Sequence, residues 1–346
     1  RIGINMGDVV KQGDKNLIIN GAMQVDQRNG GASINIAGAA YYIVDRMASF
    51  KGAASGIITG QQSTLGNLKS YKMTTSTAVT SFSGTERVHA LIHVIESQNV
   101  FFANGKTVTL SFKVETNWSG NLSVRLGNHN WTRTYIVNAE VVAGVNDVAI
   151  SVPLESNTIV ANDNSAGLVI EIGTNAQGSL QTSTEGSWIA GDDRNLTSST
   201  QWMLTAGTYI NLTALQLEVG KVATPFEHRS YGEELALCKR YFQKLGIGVP
   251  GYSNSLGEAI SFAFRFTPEM RAQPTVSINN TTFAFADTFV SLRNASSPSI
   301  SYNGFTQVAG SETSGGELQI TTGTNTTANS FQQLYSEDAI YFNSEL

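Results

Sequence analysis

The feature of this sequence that most constrains its fold is the alternation of apolar and polar residues in short runs. In the run 107–114 the apolar positions are Val108, Leu110, Phe112 and Val114. A period of two places successive side chains on opposite faces of a strand, so the run predicts a strand with one buried face. Similar runs occur at 122–126, 148–154, 168–172 and 210–219.

Turn-forming residues separate these runs, and no helical period lies between them. The turns are rich in Asn, Gly, Asp and Ser, as at 118–121, 144–147 and 162–165. Short strands at this spacing predict an antiparallel β-sandwich of the jelly-roll type. Between Ile210 and Val219 the apolar phase slips by one residue, which indicates a β-bulge or a break between two strands.

One stretch, 215–245, changes from strand to helix. Pro225 ends the strand half because it has no N–H to donate. From Glu233 onward the period becomes helical, and the residues predicted to share one buried helix face are Leu235, Cys238, Tyr241 and Phe242. Gly246 follows as a C-cap.

After Gly246 the strand alternation restarts, for example at 260–266, and the chain ends on another apolar run. We therefore predict an all-β protein: a jelly-roll β-sandwich, one short linking α-helix, and a smaller C-terminal β-sandwich or knob. The predicted boundaries are 1–15 for an N-terminal connector, 16–228 for the jelly roll, 229–249 for the linking helix and linker, and 250–346 for the C-terminal tip.

Composition excludes several classes of function. Only 14% of residues are charged, against a usual ~25%, and uncharged polar residues take their place. Such a surface suits sugars, although many extracellular and viral β-proteins share it. The net charge of −5 without a basic stripe argues against nucleic-acid binding, and no apolar run is long enough to insert into a membrane. The single Cys238 excludes a disulfide framework and is predicted to be a buried structural thiol.

The central stretch resembles a segment that recurs in tail-fibre and receptor-binding proteins of bacteriophages and cyanophages. The residues that carry the resemblance are QLEVG at 216–220, VATPFE at 222–227 and RSYGEELALCKRYFQK at 229–244. Shorter matches lie at 16–21, 27–30, 41–46, 95–97, 107–112 and 270–274. One departure is Met47, where relatives usually carry Trp after the Asp-Arg pair.

The resemblance implies a carbohydrate-binding-module-like jelly roll that leads through a short helix into a C-terminal tip. It further implies a homotrimer in the virion tail, extracellular when acting, which attaches the particle to host lipopolysaccharide or capsule. The helix face would then pack on the jelly roll of its own chain or on the threefold axis. Because the chain opens on Arg1, we expect a longer protein whose N-terminal side joins other tail or virion proteins. No cofactor is implied beyond a structural calcium ion.

Two tryptophans in Asn-rich turns are the candidate glycan-binding residues. An exposed aromatic ring beside polar donors complements the apolar face and polar rim of a sugar. The candidates are Trp118, Asn128, His129, Asn130, Trp131 and Arg133. The alternative is that one or both of these tryptophans cap the core, and we expect Trp188 and Trp202 to be core residues. In the tip, an expected exposed turn offers Tyr302 and Asn303.

Nothing in the sequence indicates an active site, and we predict that the protein is not an enzyme. His89, His93 and Glu96 have metal-ligand spacing only on a helix, whereas their sequence favours a strand with both histidines on one face. Two rival functions remain. One is a purely structural virion fibre or baseplate protein. The other is a polysaccharide depolymerase, which would use Asp192, Asp193 or Glu96.

Overall fold

A computed structural model of the chain divides it into two compact units, Arg1–Glu234 with Leu346, and Leu235–Glu345. The residues that the structure describes are 15–38, 40–52, 54–245, 249–253, 259–278, 284–287, 291–294, 299–304, 315–321, 330–335 and 340–346. The predicted connector at 1–15 lies outside them except for Lys15, and so does the predicted C-cap Gly246.

The first unit is built from short strands, most of which pair antiparallel. In chain order they are β1 (Ile34–Ile36), β2 (Tyr41–Val44), β3 (Met47–Lys51), β4 (Ile57–Leu65), β5 (Leu68–Thr77), β6 (Arg87–Glu96), β7 (Thr107–Thr116), β8 (Gly120–Asn128), β9 (Arg133–Val141), β10 (Gly144–Pro153), β11 (Ala166–Ile172), β12 (Asn175–Ala176), β13 (Gln181–Thr182), β14 (Trp188–Ala190), β15 (Asn195–Leu196) and β16 (Tyr209–Val219). Between β6 and β7 lies one helical turn, α1 (Ser97–Val100), followed by a 3₁₀ turn (Phe101–Ala103).

Most of these strands form two sheets that pack face to face, and β13 and β15 pair with each other as a separate parallel pair. As far as the chain is described, one sheet has the order β1-β4-β5-β16-β7-β10, and the other β14-β9-β8-β11-β6-β3-β2, with β12 beside β6. Alternate residues of both sheets, such as Leu110, Val114, Leu126 and Ile170, are buried in one core. The predicted jelly-roll sandwich is confirmed, because the period-two pattern does bury one face of each central strand.

Register shifts interrupt several of the ladders, and two of them bear on the sequence predictions. In β16 the pairing with β7 shifts between Thr213 and Gln216, where Ala214 has a φ of 52°. The shift confirms the predicted bulge. The bulge keeps the apolar residues on both sides of it facing the core.

In β6 the pairing with β3 also shifts, between His89 and Ile92. The strand prediction for this segment is confirmed, but the placement of both histidines on one face is wrong. His89 joins Glu171 on the outer face, whereas His93 pairs with the core residue Ile170.

The linking helix α2 spans Tyr231–Lys239. Ser230 and Glu233 form a capping box: the Ser230 N–H donates to Glu233 Oε2 at 3.1 Å, and the Glu233 N–H donates to Ser230 Oγ at 3.3 Å. The helix is shorter than predicted. Tyr241 lies after its end and Phe242 begins a strand, so these two residues do not continue the face of Leu235 and Cys238.

Pairing within the second unit explains this correction. The strand β17 (Phe242–Leu245) pairs with the last strand of the chain, and the rings of Phe242 and Tyr341 lie 5.2 Å apart. Tyr241 and Phe242 are thus buried in their own chain. Cys238 is also buried, which confirms that prediction.

The remaining strands of the second unit are β18 (Val249–Ser253), β19 (Ala259–Arg265), β20 (Thr275–Ile278), β21 (Ala284–Asp287), β22 (Ser291–Asn294), β23 (Ser299–Gly304), β24 (Gly315–Thr321), β25 (Ser330–Tyr335) and β26 (Ile340–Asn343). In its described residues they form a sheet of order β17-β26-β20 and another of order β22-β21-β25-β18-β19-β24-β23. The expected turn at Tyr302 and Asn303 is wrong, because both belong to β23 and pair with Leu318 and Glu317.

Two findings concern the described part of the chain as a whole. It contains no helix long and apolar enough to cross a membrane. In the same residues, no three His, Cys, Asp or Glu side chains are grouped to hold a metal ion. The structural calcium ion remains a prediction.

Candidate functional site

The turn between β8 and β9, residues 128–133, presents Trp131, the more exposed of the two predicted tryptophans. Asn128 fixes this turn from inside: its Oδ1 accepts hydrogen bonds from the N–H groups of Thr132 at 3.0 Å and Arg133 at 3.1 Å. The Trp131 N–H donates to the Asn128 carbonyl at 3.2 Å. Asn128 is itself buried. It therefore shapes the turn.

Trp131 has a strained backbone and an exposed side chain. Its φ is 57°, in the left-handed region that bulky residues rarely adopt. Its side chain is 37% exposed. Strain of this kind costs about 1–3 kcal/mol and is concentrated at functional positions. Both observations mark Trp131 as the centre of a candidate site.

Two arginines support the Trp131 ring. The guanidinium carbon of Arg194 lies 4.0 Å from the ring centre, and that of Arg125 lies 5.3 Å away. Contacts of this geometry are attractive because the ring face carries negative charge density. Since both arginines are buried, they hold the ring from the protein side and leave its remaining surface to solvent.

The arginines belong to a buried ionic network on the outer face of the eight-stranded sheet. Glu171, which is fully buried, lies 2.5 Å from Arg194 and 3.3 Å from Arg125. Asp192 completes the network from the half-exposed side, at 2.6 Å from Arg194 and 3.3 Å from Arg125. Burial alone would raise the pKa of Glu171, but the charges of the two arginines and the hydrogen bond with His89 hold it far below its usual range.

His89 lies at the edge of this network and is in its neutral form. Its Nδ1 lies 3.2 Å from Glu171, and its Nε2 accepts a hydrogen bond from Arg87 Nε at 3.0 Å. An Nε2 that accepts cannot carry a proton, so Nδ1 is the donor. Burial lowers the pKa of His89 despite the opposing charge of Glu171, in agreement with this assignment.

Gly127 makes room for the network. A Cβ atom at this position would lie 2.6 Å from Arg125 Nη2 and 2.8 Å from its guanidinium carbon. The Arg125 side chain therefore folds over the bare backbone of Gly127, next to the turn that carries Trp131.

Arg133 and Trp188 lie beside the turn that carries Trp131. Arg133 Nε donates to Glu155 Oε2 at 2.8 Å, and its second nitrogen bonds the other carboxylate oxygen. The side-chain hydrogen bond to Glu155 raises the pKa of Arg133. Trp188 donates from its indole N–H to the Pro153 carbonyl at 2.6 Å. Arg133 therefore braces the turn, and Trp188 lies half-buried against the core as expected.

A small depression adjoins the turn. Its volume is about 100 Å³, and its lining residues are Asn128, His129, Asn130, Thr158, Val160, Ala161, Ser165, Ala166 and Gly167. None of these nine is Asp, Glu, Lys or Arg. The His129 ring centre lies 6.3 Å from that of Trp131. His129 therefore lines the depression and also lies beside the Trp131 ring.

Trp118 does not belong to this surface. It precedes β8, whereas Trp131 follows it, and a nine-residue strand separates its ends by about 30 Å. Trp118 stacks on the buried Trp202 at 5.9 Å and donates from its indole N–H to the Tyr209 carbonyl. Trp118 is partly buried and packs against the core, as the alternative for it predicts. Its role in glycan binding stays a prediction.

Of the six predicted residues, the structure leaves Trp131, His129 and Asn130 at the surface of the turn. Asn128 and Arg133 support them from below. The sequence did not predict the ionic network, which consists of Glu171, Arg125, Arg194 and His89. In a sequence, an isolated charged residue looks like an ordinary solvent-facing position. Asp192 belongs to that network, and Glu96 is buried with a hydrogen bond from Gln98.

A second, larger groove lies on the outer face of the six-stranded sheet. Its volume is about 280 Å³, and it lies beside β10 and the segment 223–226. The walls are mainly apolar, and Lys113 and Asp147 form an exposed ion pair at its edge. It offers no aromatic ring held beside polar donors in the manner of Trp131.

Comparisons with known proteins give similarities in structure only. No family model and no curated protein matches the sequence. Solved structures that match include the enzymatically active domain of tailspike protein 4 of bacteriophage CBA120, with 11% identity and a TM-score of 0.31 over 60% of this chain. The match spans 22% of the length of that tailspike chain.

Two further matches are to modules. A CBM4 structure matches with 12% identity and a TM-score of 0.29, over 58% of this chain and 98% of that one. The family 11 carbohydrate-binding module of a cellulosomal cellulase of Clostridium thermocellum matches with 8% identity and a TM-score of 0.28, over 59% and 99%.

Proposed function

We propose that this protein is a non-enzymatic phage tail-fibre or receptor-binding protein that attaches the virion to host lipopolysaccharide or capsule. The observation that carries the proposal is the Trp131 ring, which is exposed on a strained turn and held in place by two buried arginines. A rigid aromatic plane beside neutral donors is the complement of a sugar ring. The resemblance of residues 216–244 to phage attachment proteins supplies the biological setting.

The distribution of acids favours binding over hydrolysis. Glycoside hydrolysis needs two carboxylates on either side of the scissile bond. The lining of the depression contains no carboxylate. The negative charge of Glu171 is paired with buried arginines, and Glu96 is buried. Release of reducing ends from a host polysaccharide would favour the depolymerase alternative, with Asp192 and Asp193 as the first residues to replace.

A Trp131→Asn variant tests the proposal. Asn tolerates the left-handed backbone at this position, so the turn should persist while the aromatic plane is lost. We expect binding to weaken at least about tenfold, equivalent to ~1.4 kcal/mol. The measurement is an array of purified bacterial lipopolysaccharides and capsular polysaccharides, followed by interferometry on the glycans that bind.

The matched control is Tyr41→Asn, which removes an aromatic ring of the same 37% exposure from β2. Binding should be unchanged in this variant. If Trp131→Asn binds as tightly as the parent protein, the site lies elsewhere. If the parent protein binds no glycan but binds other virion proteins, the purely structural role is correct.

We further propose that the chain acts as a homotrimer whose N-terminal side joins other tail proteins. Three copies of a weak site raise the effective concentration of the second and third contacts. Light scattering should give three times the chain mass of 37.0 kDa. A monomer mass at micromolar concentration would contradict this arrangement.

A further inference from the structure

The depression beside Trp131 is too small for a sugar ring and large enough for a substituent on one. Its volume is about 100 Å³. A dry cavity of ~150 Å³ accommodates a benzene ring, and one water occupies ~30 Å³ in the liquid. The depression therefore takes a group of about three or four non-hydrogen atoms. His129 borders both the depression and the Trp131 ring, so a sugar stacked on Trp131 would direct a substituent into it.

The walls of the depression indicate the chemistry of that substituent. Val160, Ala161 and Ala166 form an apolar part, which suits a methyl group. His129 and Asn130 form a polar part, and among the residues that the structure describes neither side chain has a hydrogen-bond partner. Both side chains offer hydrogen-bond donors or acceptors. The lining offers no Lys or Arg to pair with a carboxylate or phosphate.

We propose that the site is specific for N-acetylated sugars, with the sugar ring on Trp131 and the acetamido group in the depression. An acetamido group has four non-hydrogen atoms, one apolar methyl, one N–H donor and one carbonyl acceptor, and so matches both parts of the lining. A hydroxyl group at the same position of the sugar would not fill the depression, so its apolar residues would remain in contact with water. This inference rests on the proposed glycan-binding function and names the class of sugar that the site selects.

The test compares sugars that differ only at the 2-position. The probes are the methyl glycosides of N-acetylglucosamine and glucose, N-acetylgalactosamine and galactose, and N-acetylmannosamine and mannose. Dissociation constants come from NMR titration of the full chain. In at least one pair we expect the acetamido sugar to bind about tenfold tighter or more. Both members of that pair should lose binding in Trp131→Asn.

Two variants locate the acetamido group. Ala161→Met fills the depression with a flexible side chain and should bring the affinity ratio close to one, without weakening the hydroxyl sugar. Val160→Ser removes an apolar wall from a residue that is 67% exposed, so the fold should persist while the ratio falls. Val222→Met, at an exposed residue away from the depression, is the control and should change nothing.

The outcomes separate this inference from the proposed function. Equal binding within every pair, abolished by Trp131→Asn, would overturn the acetamido assignment and leave the glycan site standing. An unchanged ratio in both Ala161→Met and Val160→Ser would also overturn it. Failure of all six sugars together with failure of every polysaccharide on the array would overturn both proposals.

Discussion

Replacing Glu171 with Gln is expected to lower the melting temperature of the first unit by about 10 °C. The substitution keeps the shape of the side chain but removes the negative charge between Arg125 and Arg194, both of which are buried. Breaking a buried ion pair from one side costs about 3–5 kcal/mol, because the remaining charges stay desolvated. In a unit of this size, 1 kcal/mol corresponds to ~2–4 °C. Differential scanning calorimetry measures the shift.

The control for Glu171→Gln is Asp147→Asn. Asp147 pairs with Lys113 at 2.5 Å, but their side chains are 76% and 42% exposed. Exposed pairs contribute about 0–1 kcal/mol, so this variant should melt within ~2 °C of the parent protein. If both variants melt alike, Glu171 does not anchor the arginines, and the support of the Trp131 ring must come from elsewhere.

Acidification is expected to destabilise the protein through His93 well before carboxylates are protonated. Burial and the neighbouring positive charge of Arg46 lower the pKa of His93 from its ordinary 6.5 to about 3. Its Nδ1 lies 3.1 Å from the Arg46 carbonyl. Because the folded-state pKa is below the unfolded one, the unfolded chain binds the proton first. Stability is therefore complete above pH ~6.5 and falls as the pH decreases.

The expected loss through His93 is about 2 kcal/mol between pH 6.5 and 4.5, and about 4 kcal/mol by pH 3. His89, whose pKa is also lowered by burial, contributes in the same direction. The stabilisation from Glu171 is present above the unfolded pKa of ~4.3 and is lost only below it, since its pKa is lowered too. Urea denaturation at intervals between pH 7.5 and 4.5 gives the profile.

A His93→Gln variant isolates the contribution of this residue. Its side chain can still donate to the Arg46 carbonyl but does not titrate, so the slope below pH 6 should decrease by about 1.4 kcal/mol per pH unit. A His93→Gln profile that overlays the parent profile would show that His93 is not buried in its neutral form.

The parts of the fold that could be predicted are those set by local patterns. The alternation at 108–114 predicts β7 because a strand with one buried face needs only a period of two. The phase slip between Ile210 and Val219 predicts the bulge in β16 for the same reason. The end of α2 could not be predicted this way. Phe242 leaves the helix because it pairs with Asn343, about a hundred residues later in the chain.

The candidate site could be predicted only in part. Trp118 and Trp131 both lie in Asn-rich turns, and local sequence does not distinguish them. What separates them is tertiary: Trp118 stacks on Trp202, whereas Trp131 rests on Arg194 and leaves its ring exposed. The ionic network was missed because Arg125 and Glu171 occupy polar positions of alternating strands, and only their folded surroundings bury them.

The most direct test of the central claim uses the four tryptophans of the chain as reporters. The protein is labelled with fluorotryptophan, the four fluorine resonances are assigned with single Trp→Phe variants, and a polysaccharide that binds on the array is titrated in. We predict that the Trp131 resonance shifts and saturates while those of Trp118, Trp188 and Trp202 stay in place. A bound polysaccharide that leaves the Trp131 resonance unmoved would contradict the assignment of this turn as the glycan site.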